Sequence, residues 1–356
     1  MIELTSGNLL QAPVQALVNT VNTHGVMGKG IALQFKRAFP DMNRAYEAAC
    51  KSGDVKLGHM HVVDLGGLAG GPRWVINFPT KAHWKARSKL PDIETGLRDL
   101  IATVERLGIT SIAVPPLGCG NGGLDWQDVR PRIESAFGTI PNVHVLIYPP
   151  TGAPDPADMQ TGTGKPDMTL GRAALIGLVR QYLQGLLDPF VTLLEIHKLM
   201  YFLQESGEPL RLKFEAGNFG PYARNLRQVM IRLEGHWLSG YGDGSDSPDK
   251  PIELINDAEE TAERFLNEAP DVRERMQRVA TLIRGYEDSY GLELLSSMHW
   301  VMCHEAGARE SAEKAIAAVQ NWNPGKRRRL KPEHLFKAWS RLKDTEWDTE
   351  SRSANH

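Results

Sequence analysis

Two glycine-rich stretches, residues 19–32 and 115–126, each follow a strand-like apolar run and lead into a helical pattern. At such a position the backbone N–H groups of the loop and the positive end of the helix dipole point at one place, where an anion can bind. The four glycines of the second stretch also let the backbone approach a pyrophosphate closely. Together the two loops predict a cleft for a nucleotide that carries a diphosphate. A glycine-rich turn that caps a helix without any ligand is the alternative for either loop alone.

Lys81 is the residue best suited to chemistry at the rim of this cleft, because it follows the strand-like run at residues 74–78. A lysine amine becomes nucleophilic when desolvation or nearby positive charge lowers its pKa. Phe78, Pro79 and Trp84 are available as apolar surroundings. The alternative is a solvated lysine in a basic loop, which residue type alone favours since lysine side chains are mostly exposed. The other cations of that loop are Lys85, Arg87 and Lys89.

The first 150 residues alternate strand-like and helical patterns, which predicts an α/β three-layer domain with a mixed sheet. In such folds ligands bind at the carboxyl ends of the strands, where both glycine-rich loops and Lys81 fall. The predicted strands lie at residues 16–18, 61–65, 74–78, 111–115 and 143–148. The predicted helices lie at residues 30–52, 91–107 and 126–137.

A change of composition after residue 150 predicts a second domain. Residues 151–168 are rich in Pro, Gly, Thr and Asp and are expected to form a linker. Residues 169–343 are expected to form a mainly α-helical domain, and residues 344–356 a flexible tail. The predicted helices of this half span residues 172–187, 193–204, 224–233, 257–268, 272–286, 292–306, 311–321 and 332–343.

The composition is that of an ordinary globular protein, with 356 residues, 41% hydrophobic and 24% charged, and a net charge of −2. No apolar run is long enough for a transmembrane helix, and the N-terminus lacks the pattern of a secretory signal. Three widely spaced cysteines support neither a disulfide framework nor a metal cluster. We therefore expect a cytoplasmic protein without a metal or cofactor. Any nucleic-acid binding must rest on a specific site rather than on overall charge.

The motifs at residues 14–22, 25–30, 77–81 and 115–123 resemble those of macrodomains, which bind ADP-ribose, and in particular those of the DarG antitoxin family. The resemblance is specific over residues 1–150 and extends to the length and layout of the remainder. It implies a DNA ADP-ribosyl glycohydrolase that removes ADP-ribose from thymidine in single-stranded DNA and releases ADP-ribose as product. It also implies a partner, the DarT toxin that attaches the ADP-ribose, bound by the C-terminal domain. A non-hydrolytic ADP-ribose reader that only inhibits the toxin by binding is the alternative.

By position, the resemblance gives Lys81 the catalytic role, in which its amine attacks C1″ of the distal ribose as thymine leaves. Asn22 is then expected at the distal ribose, residues 118–123 at the phosphates, and Tyr148 near the adenine. The full set of expected ADP-ribose contacts is Asn8, Leu9, Asn22, Gly25, Val26, Met27, Gly28, Gly30, Ile31, Thr80, Pro116, Leu117, Gly118, Cys119, Gly120, Asn121, Gly122, Gly123, Leu124 and Tyr148. Residues that could contact DNA or support the lysine are His24, His83 and Lys85, although each alone is more readily a bystander.

Two positions depart from the family pattern. Asn8 stands where many macrodomains have an aspartate for the adenine amino group, and it can accept that hydrogen bond without a charge. Gly122 stands where lysine-dependent macrodomains carry an aspartate, and Asp125, three residues later, is the candidate to replace it. Cys119 lies within the second glycine-rich loop, where a small buried side chain is the alternative to a role at the site.

The second half contains no recognisable catalytic constellation, although its patterns at residues 195–203 and 217–222 faintly resemble antitoxin domains of the Panacea type. Residues 156–356 hold 26 Lys and Arg against 30 Asp and Glu, and an acidic face suits a toxin groove that holds DNA. Candidate acidic faces, each of which is equally well a solvated face, are Asp243, Asp246 and Asp249, and Glu259, Glu260 and Glu263. The basic run at residues 326–331 either contacts DNA or an acidic partner, or forms a solvated turn.

Overall fold

The computed structural model describes residues 1–66, 71–152, 154–185 and 190–348, without the side chain of residue 157. The chain forms two compact units. One comprises Met1–Gly164 and Gly242–Ser245, and the other comprises Lys165–Tyr241 and Asp246–His356. Much of the segment predicted as a linker therefore belongs to the first unit.

A six-stranded sheet forms the centre of the first unit. Its strands are β1 (Ile2–Leu4), β2 (Ala16–Asn22), β3 (His61–Asp64), β4 (Trp74–Lys81), β5 (Ser111–Val114) and β6 (His144–Ile147). The strand order is β1-β6-β5-β2-β4-β3. All neighbours run parallel except β3, which pairs antiparallel with β4. The predicted mixed sheet is confirmed.

Helices cover both faces of this sheet and complete the predicted three layers. The helices are α1 (Gly30–Ala38), α2 (Pro40–Ser52), α3 (Leu90–Leu107) and α4 (Trp126–Phe137). Alternation along β2 shows how the layers form, because Ala16 and Val18 join the core beneath α3 and α4, whereas Leu17 and Val21 join the core beneath α1 and α2. A strand that is buried on both faces reads as a nearly continuous apolar run.

Several elements of this unit differ from the sequence-based prediction, since β1 is not among the predicted strands and β2 extends beyond residue 18 to Asn22. The single helix predicted over residues 30–52 is wrong, because α1 ends at Ala38 and Pro40 is the first residue of α2. Proline lacks the N–H that a helix interior requires but suits the first turn of a new helix. Strand β4 is longer than predicted and ends at Lys81, which makes this lysine part of the sheet.

The second unit is mainly helical, as predicted. Its helices are α5 (Leu170–Gln184), α6 (Leu193–Glu205), α7 (Leu226–Leu233), α8 (Ala258–Asn267), α9 (Pro270–Ile283), α10 (Ser289–His304), α11 (Ala312–Trp322), α12 (Pro324–Arg329) and α13 (Pro332–Asp344). Apolar residues from α5, α6, α9, α10 and α13 share one buried core. Within the described residues, no helix is both long and apolar enough to cross a membrane.

Several short elements of this unit are missing from the sequence-based prediction. They include the strands β7 (Val191–Thr192), β8 (Phe214–Gly217), β9 (Gly220–Ala223), β10 (Leu238–Ser239) and β11 (Pro251–Leu254). Most of the basic run forms α12, in which Lys326 is fully buried with its Nζ 2.9 Å from Oε1 of Glu293, whereas residues 327–329 are exposed to solvent. Trp347 is buried as well, so the expected tail is packed at this point, and residues 349–356 lie outside the described part.

Candidate active site

The carboxyl ends of five neighbouring parallel strands line up the predicted site residues along one edge of the sheet. Along that edge follow Asn8 after β1, Tyr148 after β6, residues 115–125 after β5, residues 23–29 after β2, and Lys81 at the end of β4. Neighbouring strands lie about 4.8 Å apart, so the edge from β6 to β4 is about 14 Å long. The first unit therefore holds these residues in one continuous row.

Lys81 and Asn22 lie side by side although 59 positions separate them in the sequence. They are register partners on β4 and β2, because an irregularity after Val21 pairs Asn22 with Lys81 and not with Thr80. Bulges of this kind turn side chains at the rims of sheets. The pairing places the candidate nucleophile beside the residue predicted for the distal ribose.

The amine of Lys81 is partly buried and donates a hydrogen bond to the carbonyl oxygen of Asn121, 2.9 Å away. Burial lowers the pKa of this amine below its ordinary value, because desolvation disfavours the charged form. Among the described residues, no carboxylate pairs with the amine and offsets that effect. A larger fraction of the amine is therefore neutral, and able to act as a nucleophile, than in an exposed lysine.

The side chain of Asn22 organises the first glycine-rich loop. It is 5% exposed. Its Oδ1 accepts the N–H groups of His24 and Val26 at 2.9 and 3.4 Å, and its Nδ2 donates to the carbonyl oxygen of Val26 at 2.6 Å. Gly25 has a φ of +78°, which an L side chain rarely adopts. Asn22 thus holds the turn, and its contact with the distal ribose stays a prediction.

Some of the predicted contacts do not face the edge of the sheet. The side chains of Leu9, Met27 and Leu117 are buried in the core, so they support the loops from below. The N–H of Gly30, at the start of α1, donates to the carbonyl oxygen of Asp243 at 2.8 Å, and both residues belong to the first unit. This N–H is therefore engaged within the first unit.

The second glycine-rich loop is closed by its own backbone. The N–H of Leu124 donates to the carbonyl oxygen of Gly118, and the N–H of Ser88 donates to that of Gly122, each at 3.0 Å. Gly118 and Gly123 have φ values of +73° and +75°, so glycine is the residue suited to both positions. The loop is thereby tied to the chain segment that continues from Lys81.

Gly122 is packed too tightly to carry a side chain. A Cβ on it would lie 2.3 Å from the carbonyl oxygen of Gly118 and 2.3 Å from Oγ of Ser88. An aspartate therefore cannot occupy this position unless the loop moves. Asp125, its candidate replacement, is exposed and caps α4 by accepting the N–H of Gln127 at 2.9 Å. No contact of Asp125 with the candidate nucleophile is present among the described residues.

Part of the predicted linker closes the edge that was predicted for adenine. Nδ2 of Asn8 donates to the carbonyl oxygen of Asp158 at 2.7 Å, and its Oδ1 caps the short 3₁₀ helix Leu9–Gln11. The oxygen expected to accept from adenine is thus already engaged. Arg37 holds the same segment by donating to Oγ1 of Thr161 at 2.8 Å. Residues 154–164 therefore pack onto Asn8 and Arg37 of the first unit, a contact that the prediction of a linker did not include.

Three further candidates have buried polar groups. Tyr148 follows β6, and burial raises the pKa of its hydroxyl. The hydroxyl of Thr80 lies 3.4 Å from the carbonyl oxygen of Val21 within the sheet. Burial and the nearby carboxylate of Asp125 raise the pKa of the Cys119 thiol to about 11. This thiol stays protonated near neutral pH, as expected of a structural cysteine.

Two supporting residues carry no signal in the sequence. The hydroxyl of Tyr46, on α2, donates to the carbonyl oxygen of Asn22. Ser88 is buried beneath the second glycine-rich loop, where it limits the space at Gly118 and Gly122. Both act through tertiary contacts, so their residue types alone do not mark them.

One group of potential metal ligands occurs among the described residues, in the second unit. Ligand atoms of Glu205, His299 and Cys303 lie within 4.8 Å of one another. However, Nδ1 of His299 is already 2.8 Å from the hydroxyl of Tyr201. Burial lowers the pKa of His299 to about 3 and raises that of Cys303 to about 11. The imidazole is thus already engaged within the packed polar core of this unit.

Comparison with known proteins places this geometry in context. The family model of the Macro domain matches residues 18–133. The chain is 47% identical over 326 residues to a "DNA ADP-ribosyl glycohydrolase" of Thermus aquaticus, covering 92% of this chain and 89% of that protein. It is 46% identical over 354 residues to one of Mycobacterium tuberculosis, covering 96% and 99%. A "DNA ADP-ribosyl transferase-DNA ADP-ribosyl glycohydrolase fusion protein" of Thermosipho africanus is 36% identical over 163 residues, covering 42% of each chain.

Proposed function

The chain belongs to the family of DNA ADP-ribosyl glycohydrolases and is a hydrolase, and from this premise we propose how its first unit acts. ADP-ribose binds along the carboxyl edge of the sheet, and Lys81 detaches it from thymidine in single-stranded DNA. The observation that carries this proposal is the Lys81 amine, which is partly desolvated, lies beside Asn22 and points to the second glycine-rich loop.

The chemical step exchanges bonds at C1″ of the distal ribose. The lone pair of the neutral Lys81 amine forms a C–N bond to C1″ while the bond from C1″ to thymine breaks and its electron pair goes to the base. The proton that the amine loses balances the proton that the departing thymine gains. A proton then moves from nitrogen to the ring oxygen as the adduct opens to an imine. Water adds to the imine, expels the amine and releases ADP-ribose.

The surrounding residues position the amine and the ligand. The hydrogen bond to Asn121 turns the amine toward the loop proposed to hold the phosphates. Asn22 fixes the turn that closes the other side of the cleft. Because Gly118 and Gly123 have no side chains, the backbone N–H groups of this loop can approach a diphosphate closely.

The test is removal of ADP-ribose from a single-stranded oligonucleotide that carries one ADP-ribosylated thymidine. We expect Lys81→Ala to lower kcat on the order of 10⁴-fold, because removing a nucleophile removes the covalent pathway. Lys56→Ala is the matched control, since Lys56 is an exposed lysine of the same unit outside the site. Full activity of Lys81→Ala would contradict the assignment. A variant of either lysine that hydrolyses the oligonucleotide but no longer binds ADP-ribose would also contradict it.

For the second unit we propose binding of the DarT toxin. It is a separate compact unit with its own apolar core, and the fusion protein of Thermosipho africanus combines a transferase with a glycohydrolase. In the acidic faces considered from the sequence, several carboxylates already have partners within this unit. Glu259 and Glu263 pair with Arg180 at 3.3 and 3.2 Å, and Asp246 accepts the hydroxyl of Tyr241 at 3.0 Å.

The test separates neutralisation from hydrolysis by using the full-length Lys81→Ala variant. Mixed with DarT before DNA is added, this variant is expected to form a complex and to prevent ADP-ribosylation of a single-stranded oligonucleotide. A variant that neither co-elutes with the toxin nor inhibits it would overturn this part of the proposal.

A further inference from the structure

A cluster of rings lies at the rim beside Lys81, and the proposed reaction does not use it. We call His24, His83, Trp84 and Lys85 the rim stack. The ring centroids of His24 and His83 are 4.8 Å apart at 75°, and those of His83 and Trp84 are 5.4 Å apart at 28°. Nζ of Lys85 lies 4.8 Å from the centroid of the Trp84 ring. These are ordinary distances for edge-to-face, stacked and cation–π contacts.

Hydrogen bonds fix the rim stack to the two strands that form the site. The carbonyl oxygen of Ala82 accepts the N–H of Thr23 at 3.1 Å and its hydroxyl at 2.9 Å. Nδ1 of His24 lies 2.9 Å from the same oxygen. Because these residues directly follow Asn22 and Lys81, the rings are held at the rim next to the nucleophile.

The rim stack combines an exposed aromatic surface with positive charge. Trp84 is 47% exposed, although tryptophan side chains are highly buried on average. Residues 81–89 contain four Lys and Arg and no carboxylate. Among the described residues, Lys85, Arg87 and Lys89 form no ion pair. Aromatic side chains interleaved with unpaired cations are typical of surfaces that bind single-stranded nucleic acid.

We propose that the rim stack binds the nucleobases next to the modified thymidine in a DNA single strand, an assignment that rests on the function proposed above. The thymine bonded to C1″ must lie within bonding reach of the Lys81 amine, and Trp84 is only three positions further along the chain. The adjoining base stacks on Trp84 and His83, while Lys85, Arg87 and Lys89 neutralise phosphates. Bases in a duplex already stack on one another, so an intact duplex does not supply this ligand.

The test measures KM and kcat of full-length variants on the ADP-ribosylated oligonucleotide, together with the Kd of free ADP-ribose. We expect Trp84→Ala to raise KM about 10-fold, since one base–aromatic stack supports a change of this size, with kcat and the Kd of ADP-ribose unchanged. Trp84→Phe keeps a ring and is expected to restore most of the affinity. Phe336→Ala is the matched control, because Phe336 is an exposed aromatic residue of the second unit, at 52%.

Two results would overturn the inference. One is an unchanged KM for Trp84→Ala, and the other is an equal loss of affinity for free ADP-ribose, which indicates damage to the cleft. The outcome is independent of the catalytic assignment. Suppose that Lys81→Ala stayed active while Trp84→Ala raised KM for the oligonucleotide without changing the Kd of ADP-ribose. The assignment of Lys81 as the nucleophile would then be wrong, and the proposed role of the rim stack in binding bases would still be supported.

Discussion

The close packing at Gly122 makes a single methyl group a strong perturbation of the site. In Gly122→Ala, the new Cβ would lie 2.3 Å from two atoms, whereas ordinary contact begins at 3.4 Å. The neighbours are the backbone of Gly118, which cannot rotate away, and the buried hydroxyl of Ser88. The loop must therefore shift by about 1 Å, and overpacking of this kind costs about 1–3 kcal/mol of unfolding free energy.

The same shift affects catalysis, because Asn121, the acceptor of the Lys81 amine, precedes Gly122 in the loop. A displacement of about 1 Å near reacting groups can cost about 100-fold in rate. We therefore expect Gly122→Ala to lower kcat/KM about 100-fold. We also expect it to lower the Tm of the first unit by about 2–12 °C, given about 2–4 °C per kcal/mol for a domain of this size.

The matched variant is Gly120→Ala in the same loop, where a Cβ would meet nothing within 4 Å and the backbone is not in the left-handed region. Thermal unfolding of both full-length variants, followed by circular dichroism with and without ADP-ribose, gives the comparison. Gly120→Ala is expected to change the unfolding free energy by less than about 1 kcal/mol. If Gly122→Ala unfolds like the wild type, or if the two variants lose equal stability, tight packing at Gly122 does not hold the loop in place.

Three further predictions concern the nucleophile, the first loop and the two units. Burial lowers the pKa of Lys81, and the neutral amine is the reactive form. We therefore expect kcat/KM to rise with pH, with a midpoint below the pKa of an exposed lysine, about 10.4. A profile in which kcat/KM is constant or falls with pH contradicts this. Asn22→Ala removes buried hydrogen bonds and is expected to lower the free energy of unfolding of the first unit in urea by about 1–3 kcal/mol. An unchanged unfolding free energy would show that the turn is stable without the Asn22 side chain. A fragment of residues 1–164 is expected to remove ADP-ribose in a hydrolysis assay, and one of residues 165–356 is expected to bind DarT in a pull-down. An inactive, folded first fragment would show that residues beyond 164, among them Gly242–Ser245 of the first unit, complete the site.

The parts of the site that depend on local sequence could be predicted. Glycine-rich loops between strand-like and helical runs fix where N–H groups converge, so both loops and Lys81 fall at the expected edge of the sheet. The helix break before Pro40 also has a local signal, a proline at a first helical turn, although the single helix predicted over residues 30–52 missed it. The adjacency of Asn22 and Lys81 was not, because it depends on β2 pairing with β4 and on one irregularity in that pairing.

Other features depend on contacts between distant segments and have no local signal. The docking of residues 154–164 onto Asn8 and Arg37 uses backbone groups, so a composition rich in Pro and Gly gives no sign of it. The tight packing at Gly122 comes from Ser88, 34 positions away. The buried charge of Lys326 is stabilised by Glu293 on another helix, whereas a run of cations in a sequence usually indicates a solvated face.

In the proposed mechanism the Lys81 amine bonds covalently to ADP-ribose during turnover. The most direct test of this step adds borohydride while the full-length enzyme acts on the ADP-ribosylated oligonucleotide, followed by peptide mapping with mass spectrometry. Reduction of the imine is expected to leave one ADP-ribose adduct on the peptide that contains Lys81, and no adduct in Lys81→Ala. An adduct on a different residue, or none at all while hydrolysis proceeds, would contradict this mechanism.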